Sequence, residues 1–230
     1  MEISSKNITG ILVRNLYNDK LIKLLVSNDK LENKRISIIR EDFESISFKS
    51  TIYEYMNYEI ENKNIVLKND LKKIKDSLKI VGLNKISLDR NINTLSDSEK
   101  KLFQLAIALL SNPEVLIFEE PFNKLDLKNE KKLILLFRRI KEKYDKTIIF
   151  ISSNSNILYK YTDYLIVYDD KLLKEGKTST VIEDVELLKR NSLPVPEIVE
   201  FTYLARKKYN VKIDYHSDIR DIIKDIYKHV

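Results

Sequence analysis

The segment VLIFEEPFNKLD, residues 115–126, runs from an apolar stretch into two adjacent carboxylates, Glu119 and Glu120, and closes a proline-marked loop on a third, Asp126. Acidic side chains at the exit of a buried strand suit two tasks: holding a hydrated cation and orienting a water. Upstream, Ser96 precedes Asp97, Ser98 and Glu99, and the Ser96–Glu99 spacing also fits a capping box, a purely structural role. If the carboxylates serve phosphate chemistry, a loop of backbone N–H groups must cradle the phosphates, and such loops rely on closely spaced glycines. The chain has three glycines, Gly10, Gly82 and Gly176, and no two lie near one another. A glycine-rich phosphate loop is therefore excluded by composition alone.

The elements that must position these residues can be read from periodicity. TGILV (9–13), RISII (35–39), EVLIF (114–118), TIIFIS (147–152) and YLIVY (164–168) read as strands. Residues 18–29 carry an apolar helical pattern with Asn18 or Asp19 as N-cap, and 50–60 form an amphipathic segment. Residues 67–83 form a helix with Leu71, Ile74, Leu78 and Val81 on one face, stopped near Gly82. Ser96 caps a helix running to about Leu110, with Leu102, Leu105, Ala106, Leu109 and Leu110 as its buried stripe. Lys128–Lys143 is a helix with Leu133, Leu136, Phe137 and Ile140 inward, and Asp169-Asp170 turns a hairpin into KLLKEG. Continuous apolar strands alternating with amphipathic helices imply an α/β fold, a parallel sheet covered on both faces. Beyond NSLPVPE (191–197), two helices at about 197–208 and 217–228 place Ile198, Phe201 and Ala205, then Ile219, Ile222 and Ile226, on single faces.

Bulk composition narrows the class. With 230 residues, 43% hydrophobic and 33% charged, the chain can bury a sizeable core. No apolar run approaches the roughly 20 residues of a membrane-spanning helix, and Met1 opens a polar stretch without a signal-peptide core. The lack of cysteine excludes disulfides and thiolate metal sites and fits a cytoplasmic protein. His216 and His229 are the only histidines, which argues against a histidine-based metal site. The formal charge of +6 arises from basic residues spread along the chain among 35 acidic ones, so no direct nucleic-acid binding is expected.

The stretch LSDSEKKLFQLAIALLSNPEVLIFEEPFNKLD (95–126) resembles the signature helix, Walker B strand and D-loop of ATP-binding-cassette (ABC) transporter ATPases, in order and in spacing. The likeness continues through TIIFISSNSNILYKYTDYLIVYDDKLLKEG to Gly176, similar to the family's switch strand and following hairpin. LPVPEIVEFTYLARKKYNVKI is similar to the extra domain of the energy-coupling factor ATPases, which power vitamin and metal-ion uptake. ISIIREDFESISFKSTIYEYMNY (36–58) looks like that subgroup's Q-loop region. The resemblance implies a P-loop NTPase-like core over residues 1–190, with its signature and helical part at about 50–110, and a helical extension over 191–230. It also implies a reduced N-terminal β-subdomain, because the ~9-residue link between Leu25 and Arg35 leaves no room for the family's extra strands.

Carried over residue by residue, the resemblance meets repeated departures. TGILVRNLYNDKLIKLL (9–25) resembles the family's strand, loop and helix, but Val13, Leu16, Tyr17 and Asn18 stand where glycines would be. Lys20 could mimic the loop lysine; a second alignment places residues 1–33 after a deleted loop. Glu41 replaces the Q-loop glutamine and Glu119 the Walker B aspartate that holds magnesium, whereas Glu120 matches the general base. Ser96 of the signature survives, but Asp97 and Ser98 replace its glycines. A carboxylate there repels a triphosphate, about 4 kcal/mol for unit charges 4 Å apart at an effective dielectric of 20. Ser153 stands at the switch histidine, and Asp126 of the D-loop is kept.

The reading that follows is a pseudo-ATPase subunit at the inner face of the cell membrane. It would pair with an intact ABC ATPase and dock to a membrane coupling protein, with ATP and Mg engaged only through that partner. Two alternatives stay open: an active ATPase binding nucleotide unconventionally through Lys20, Glu119 and Glu120, and a soluble scaffold or nucleic-acid-associated protein reusing the fold.

Overall fold

A computed structural model describes residues 1–3, 7–16, 19–41, 50–63, 65, 69–209, 213–216 and 218–229. Tyr17 and Asn18, and residues 42–49 of the Q-loop-like stretch, lie outside them. Buried β1 (Ile8–Leu12) leads to α1 (Asp19–Val26), then β2 (Ile36–Ile39). Next, α2 (Ile52–Asn62) starts at a capping box of Thr51 with Glu54, and α3 (Asp70–Ile80) at Asn69. Then come α4 (Asp97–Leu110), β3 (Val115–Glu119) and α5 (Leu127–Tyr144). They are followed by β4 (Thr147–Ser152), α6 (Ser155–Tyr161), β5 (Tyr164–Asp169) and β6 (Lys171–Lys177). The chain ends with α7 (Thr178–Ile182), α8 (Val185–Arg190), α9 (Glu197–Tyr209) and α10 (Ile219–His229).

The chain divides into two compact units, one made of Met1–Lys30 with Ile149–Val230, the other of Leu31–Ile148, so β4 contributes residues to both. In the first unit the strand order is β4-β1-β5-β6. β1 runs parallel to β5, from Thr9 opposite Tyr164 to Leu12 opposite Val167, and β5 turns through Asp170 (φ 58°) into antiparallel β6. Gly10 is there because β1 lies close to α6 and the turn after it: a Cβ at Gly10 would sit 2.9 Å from Thr162 Cγ2 and 3.1 Å from Leu158 Cδ2. In the second unit β2 runs parallel to β3, from Ile36 opposite Val115 to Ile39 opposite Phe118. Helices α2, α3 and α4 pack together there, and the Tyr55 and Phe103 rings approach to 5.8 Å. The fold is the α/β, mostly parallel arrangement expected from the sequence.

Several faces differ from their expectation. Leu71 of α3 is 44% exposed, and Ser77 takes a buried place instead, its hydroxyl donating to the Ile74 carbonyl at 2.9 Å. In α4, Leu102 and Leu109 are half-buried, while Phe103, Gln104, Ile107 and Ala108 are buried beside Leu105, Ala106 and Leu110. A helix enclosed on most sides has no single stripe to read. α9 turns Val199 and Thr202 inward and leaves Phe201 half exposed, the reverse of the face expected from Ile198, Phe201 and Ala205. Burial of Thr202 is tolerated because its hydroxyl donates to the Ile198 carbonyl at 2.9 Å. Of Ile219, Ile222 and Ile226 in α10, only Ile222 is buried. Residues 27–35 form turns and no strand, so the N-terminal β-subdomain is reduced as expected.

Candidate functional site

β3 delivers its last residue, Glu119, to the edge of a tight turn, with the side chain almost fully buried. A carboxylate removed from water needs a compensating charge. Arg40, the residue after β2, supplies it: its guanidinium donates to Glu119 Oε1 at 3.3 Å. β2 and β3 are parallel neighbours, so their C-terminal ends emerge together and bring Arg40 opposite Glu119. Gln104 of α4 fixes the same corner by donating to the Arg40 carbonyl at 3.4 Å.

Glu120 begins the turn in the left-handed region, φ 42°, unusual for a residue bearing a Cβ. Its carbonyl accepts from Lys101 Nζ at 3.2 Å and from the Asn123 backbone N–H at 3.2 Å. Behind the turn, the Phe122 ring meets Phe137 edge-on at 6.1 Å, and Phe118 meets Phe137 at 4.6 Å. Asn123 in turn donates its side-chain amide to the Glu41 carboxylate. The turn closes on Asp126, whose carboxylate caps α5 by accepting from the Asn129 backbone N–H at 2.8 Å and its side-chain amide at 3.1 Å.

Five residues thus converge in the second unit: Arg40, Glu41, Glu119, Glu120 and Asn123, with Lys101 beneath. The sequence singled out Glu41, Glu119 and Glu120; it did not single out Arg40, Lys101 or Asn123. The one available signal was Arg40 directly after an apolar strand, where a lone cation has no obvious partner until the parallel register is known.

The signature-like residues sit at the head of α4. Ser96 is the N-cap, its hydroxyl accepting from the Glu99 N–H at 3.3 Å while Glu99 reaches back to the Ser96 N–H at 2.9 Å. Arg90 clamps the Glu99 carboxylate with two bonds, at 2.9 and 3.1 Å. The Arg90 guanidinium first, then the Ser96 N–H, hold the Glu99 carboxyl below the usual carboxylate range. Asp97 is exposed and Ser98 half-buried in the first turn.

In the first unit, Lys20 is exposed on α1, beside Lys23, Leu24 and Ser27, where they face Tyr168 and Lys171 across an open cleft of about 450 Å³. Ser153 follows β4 half-buried, and its neighbours serve local structure: the Asn154 N–H donates to Ser152 Oγ at 2.9 Å, and Asn154 caps α6. Residues 13–18 separate β1 from α1, and of these Tyr17 and Asn18 lie outside the described residues. Among the described residues, no group of three or more acidic or histidine side chains is arranged to hold a metal ion. No helix among them is long and apolar enough to cross a membrane.

A family model for ABC transporters matches residues 9–123. Among curated proteins, the energy-coupling factor transporter ATP-binding protein EcfA2 of Mycoplasma mobile is 28% identical over 198 residues, 86% of this chain and 64% of that protein. The energy-coupling factor transporter ATP-binding protein EcfA of Methanocaldococcus jannaschii is 26% identical over 198 residues, 86% of this chain and 70% of that protein. The chain therefore spans about two thirds of the length of these relatives. Among solved structures, cbiO1 of Clostridium perfringens, part of the ABC transporter complex cbiONQ, superposes with a TM-score of 0.65 at 21% identity, over 88% of this chain and 90% of that one.

Proposed function

Because the chain belongs to the ABC transporter family, whose model matches half of its residues, we propose that it is a nucleotide-site-degenerate ATP-binding-subunit homologue, of the energy-coupling factor kind. In this reading it is the pseudo-ATPase half of an uptake machine for a vitamin or metal ion. It pairs with an intact ABC ATPase and docks to a membrane coupling protein at the inner face of the cell membrane.

The observation that carries the reading is where the glycines are. Gly10 lies inside β1 against Thr162, Gly82 ends α3 at φ +85°, and Gly176 lies in β6 at φ +156°. None stands between β1 and α1, where main-chain amides would have to approach phosphates. Lys20 alone supplies a point charge, and a point charge does not replace an amide cradle.

The residues present fit magnesium poorly as well. Glu119 faces Arg40 at 3.3 Å, so a cation already occupies the charge balance that a metal would require. No chemical step through ATP or magnesium is assigned to this chain. Ser96, Glu120 and Asp126 retain the family's residue types, and in this reading they keep the shape of the surface presented to the partner. The C-terminal helices add apolar area for that partner: Phe201 and Leu204 of α9 and Ile219 and Ile223 of α10 are 46–59% exposed.

The test is turnover in a reconstituted pair. The chain alone releases no phosphate from ATP, whereas a complex with an intact energy-coupling factor ATPase does. Glu120→Gln in this chain leaves the rate of the complex unchanged, and the equivalent change in the partner abolishes it. Loss of turnover on Glu120→Gln here would instead assign catalysis to this chain.

A further inference from the structure

The positive charge of the molecule is concentrated on one helix. α5 carries seven basic side chains against two acidic ones, Glu130 and Glu142, a surplus of five in a chain whose formal charge is +6. Glu130 is buried, so the solvent face of α5 is almost purely cationic. Lys128, Lys131, Lys132 and Arg138 are exposed, fall three, four and seven residues apart around Leu135, and make no ion pair among the described residues. Leu135, in the middle of the stripe, is 63% exposed.

This face borders a groove of about 540 Å³ between α5, the end of α3 and the start of α4. Its floor is apolar, with Val81, Leu102, Leu133 and Leu136, and its rim bears Lys101, Lys132 and Arg139. The rim's one carboxylate, Glu99, is already clamped by Arg90. Arg139 is held in place by donating to the Ile80 carbonyl at 2.7 Å, so this part of the rim is pre-set.

We propose that this groove is a docking site for an acidic amphipathic helix of a partner protein, with apolar side chains in the groove and carboxylates along Lys128, Lys132 and Arg139. Charge decides the sign of the partner: a second copy would bring the same cationic stripe against itself and be repelled. Shape decides its kind. A recessed apolar floor suits helix side chains, whereas a nucleic-acid backbone or a lipid surface would use the charges and leave the recess empty. The inference stands on α5 and its groove and does not depend on whether the chain binds nucleotide.

The test uses a labelled amphipathic peptide of about five turns with leucines on one face and glutamates on the other, and fluorescence anisotropy with the full chain. Three further probes are run alongside: the same peptide with lysine for glutamate, phosphatidylglycerol vesicles, and a single-stranded oligonucleotide. The acidic peptide binds, and raising the salt weakens it. The double substitution Lys128→Glu/Lys132→Glu weakens it by about tenfold or more, and Leu135→Ala weakens it as well. Lys128 lies in the first turn of α5, where the helix dipole favours a carboxylate, and Lys132 is exposed to solvent, so the fold is retained and circular dichroism checks it. Absence of acidic-peptide binding, equal binding of the lysine peptide, or sensitivity to Lys128→Glu/Lys132→Glu confined to vesicles or oligonucleotide would each overturn the proposal.

Discussion

Ser96 and Asp126 are the family-like residues whose present work can be weighed without nucleotide, because each caps a helix. Replacing either by alanine removes an acceptor from the first turn of α4 or α5 and is expected to cost about 1 kcal/mol in urea denaturation. No change in stability would free these side chains for another role. Glu99 adds a pH signature. Its folded-state pKa lies below the unfolded one, so its contribution is complete above about pH 4.3, the ordinary glutamate value, and is lost as pH falls through the folded value. The stability gap between the native chain and Glu99→Gln should therefore narrow on acidification below about pH 4, and a gap independent of pH would contradict the Arg90 clamp. Arg40→Gln leaves the buried Glu119 carboxylate without the cation facing it. A loss of about 1–2 kcal/mol is expected, moderated because Arg40 is itself half exposed, with a smaller loss when Glu119→Gln accompanies it. Equal losses with and without Glu119→Gln would separate the two residues. The carboxylates were visible in the sequence as types at a strand end; their partners were not, since Arg40 lies 79 positions away and meets Glu119 only through strand register.

At the scale of elements, β1 and its glycine make the most demanding packing claim. Thr162 is branched at Cβ and its hydroxyl is tied to the Leu158 carbonyl at 2.7 Å, so it cannot swing away from a new methyl group at Gly10. Gly10→Ala is expected to destabilise by about 1–3 kcal/mol, and Thr162→Ser in the same chain, which removes the clashing Cγ2, to recover part of the loss. A neutral Gly10→Ala would show that β1 has slack there. Strand and helix positions were legible because a continuous apolar run such as β4 and a 3.6-residue period such as that of α5 survive in one dimension. Faces were less so. α9 has apolar residues on both sides, and only tertiary packing chooses Val199 over Phe201. The charge of α5 was hidden for the same reason, since lysines interleaved with leucines along the chain become a single stripe once wound into a helix.

For the whole molecule, α/β architecture follows from apolar strands alternating with amphipathic helices, and ABC family membership from the family model's match to residues 9–123, which takes in most of the ordered run 95–126. Function is harder to read, because it turns on glycines that the chain does not have at the junction of β1 and α1. The fold persists without them, since a parallel sheet is held by apolar strands and not by its ligand. In the proposed reading the chemistry does not persist in the same way, because a cradle of main-chain amides is the main electrostatic grip on a triphosphate. The most direct test is calorimetric titration of the purified chain with ATP and magnesium. No binding in the micromolar range is expected, either for the native chain or for Lys20→Ala. A micromolar dissociation constant that Lys20→Ala or Glu119→Gln abolishes would contradict the central claim.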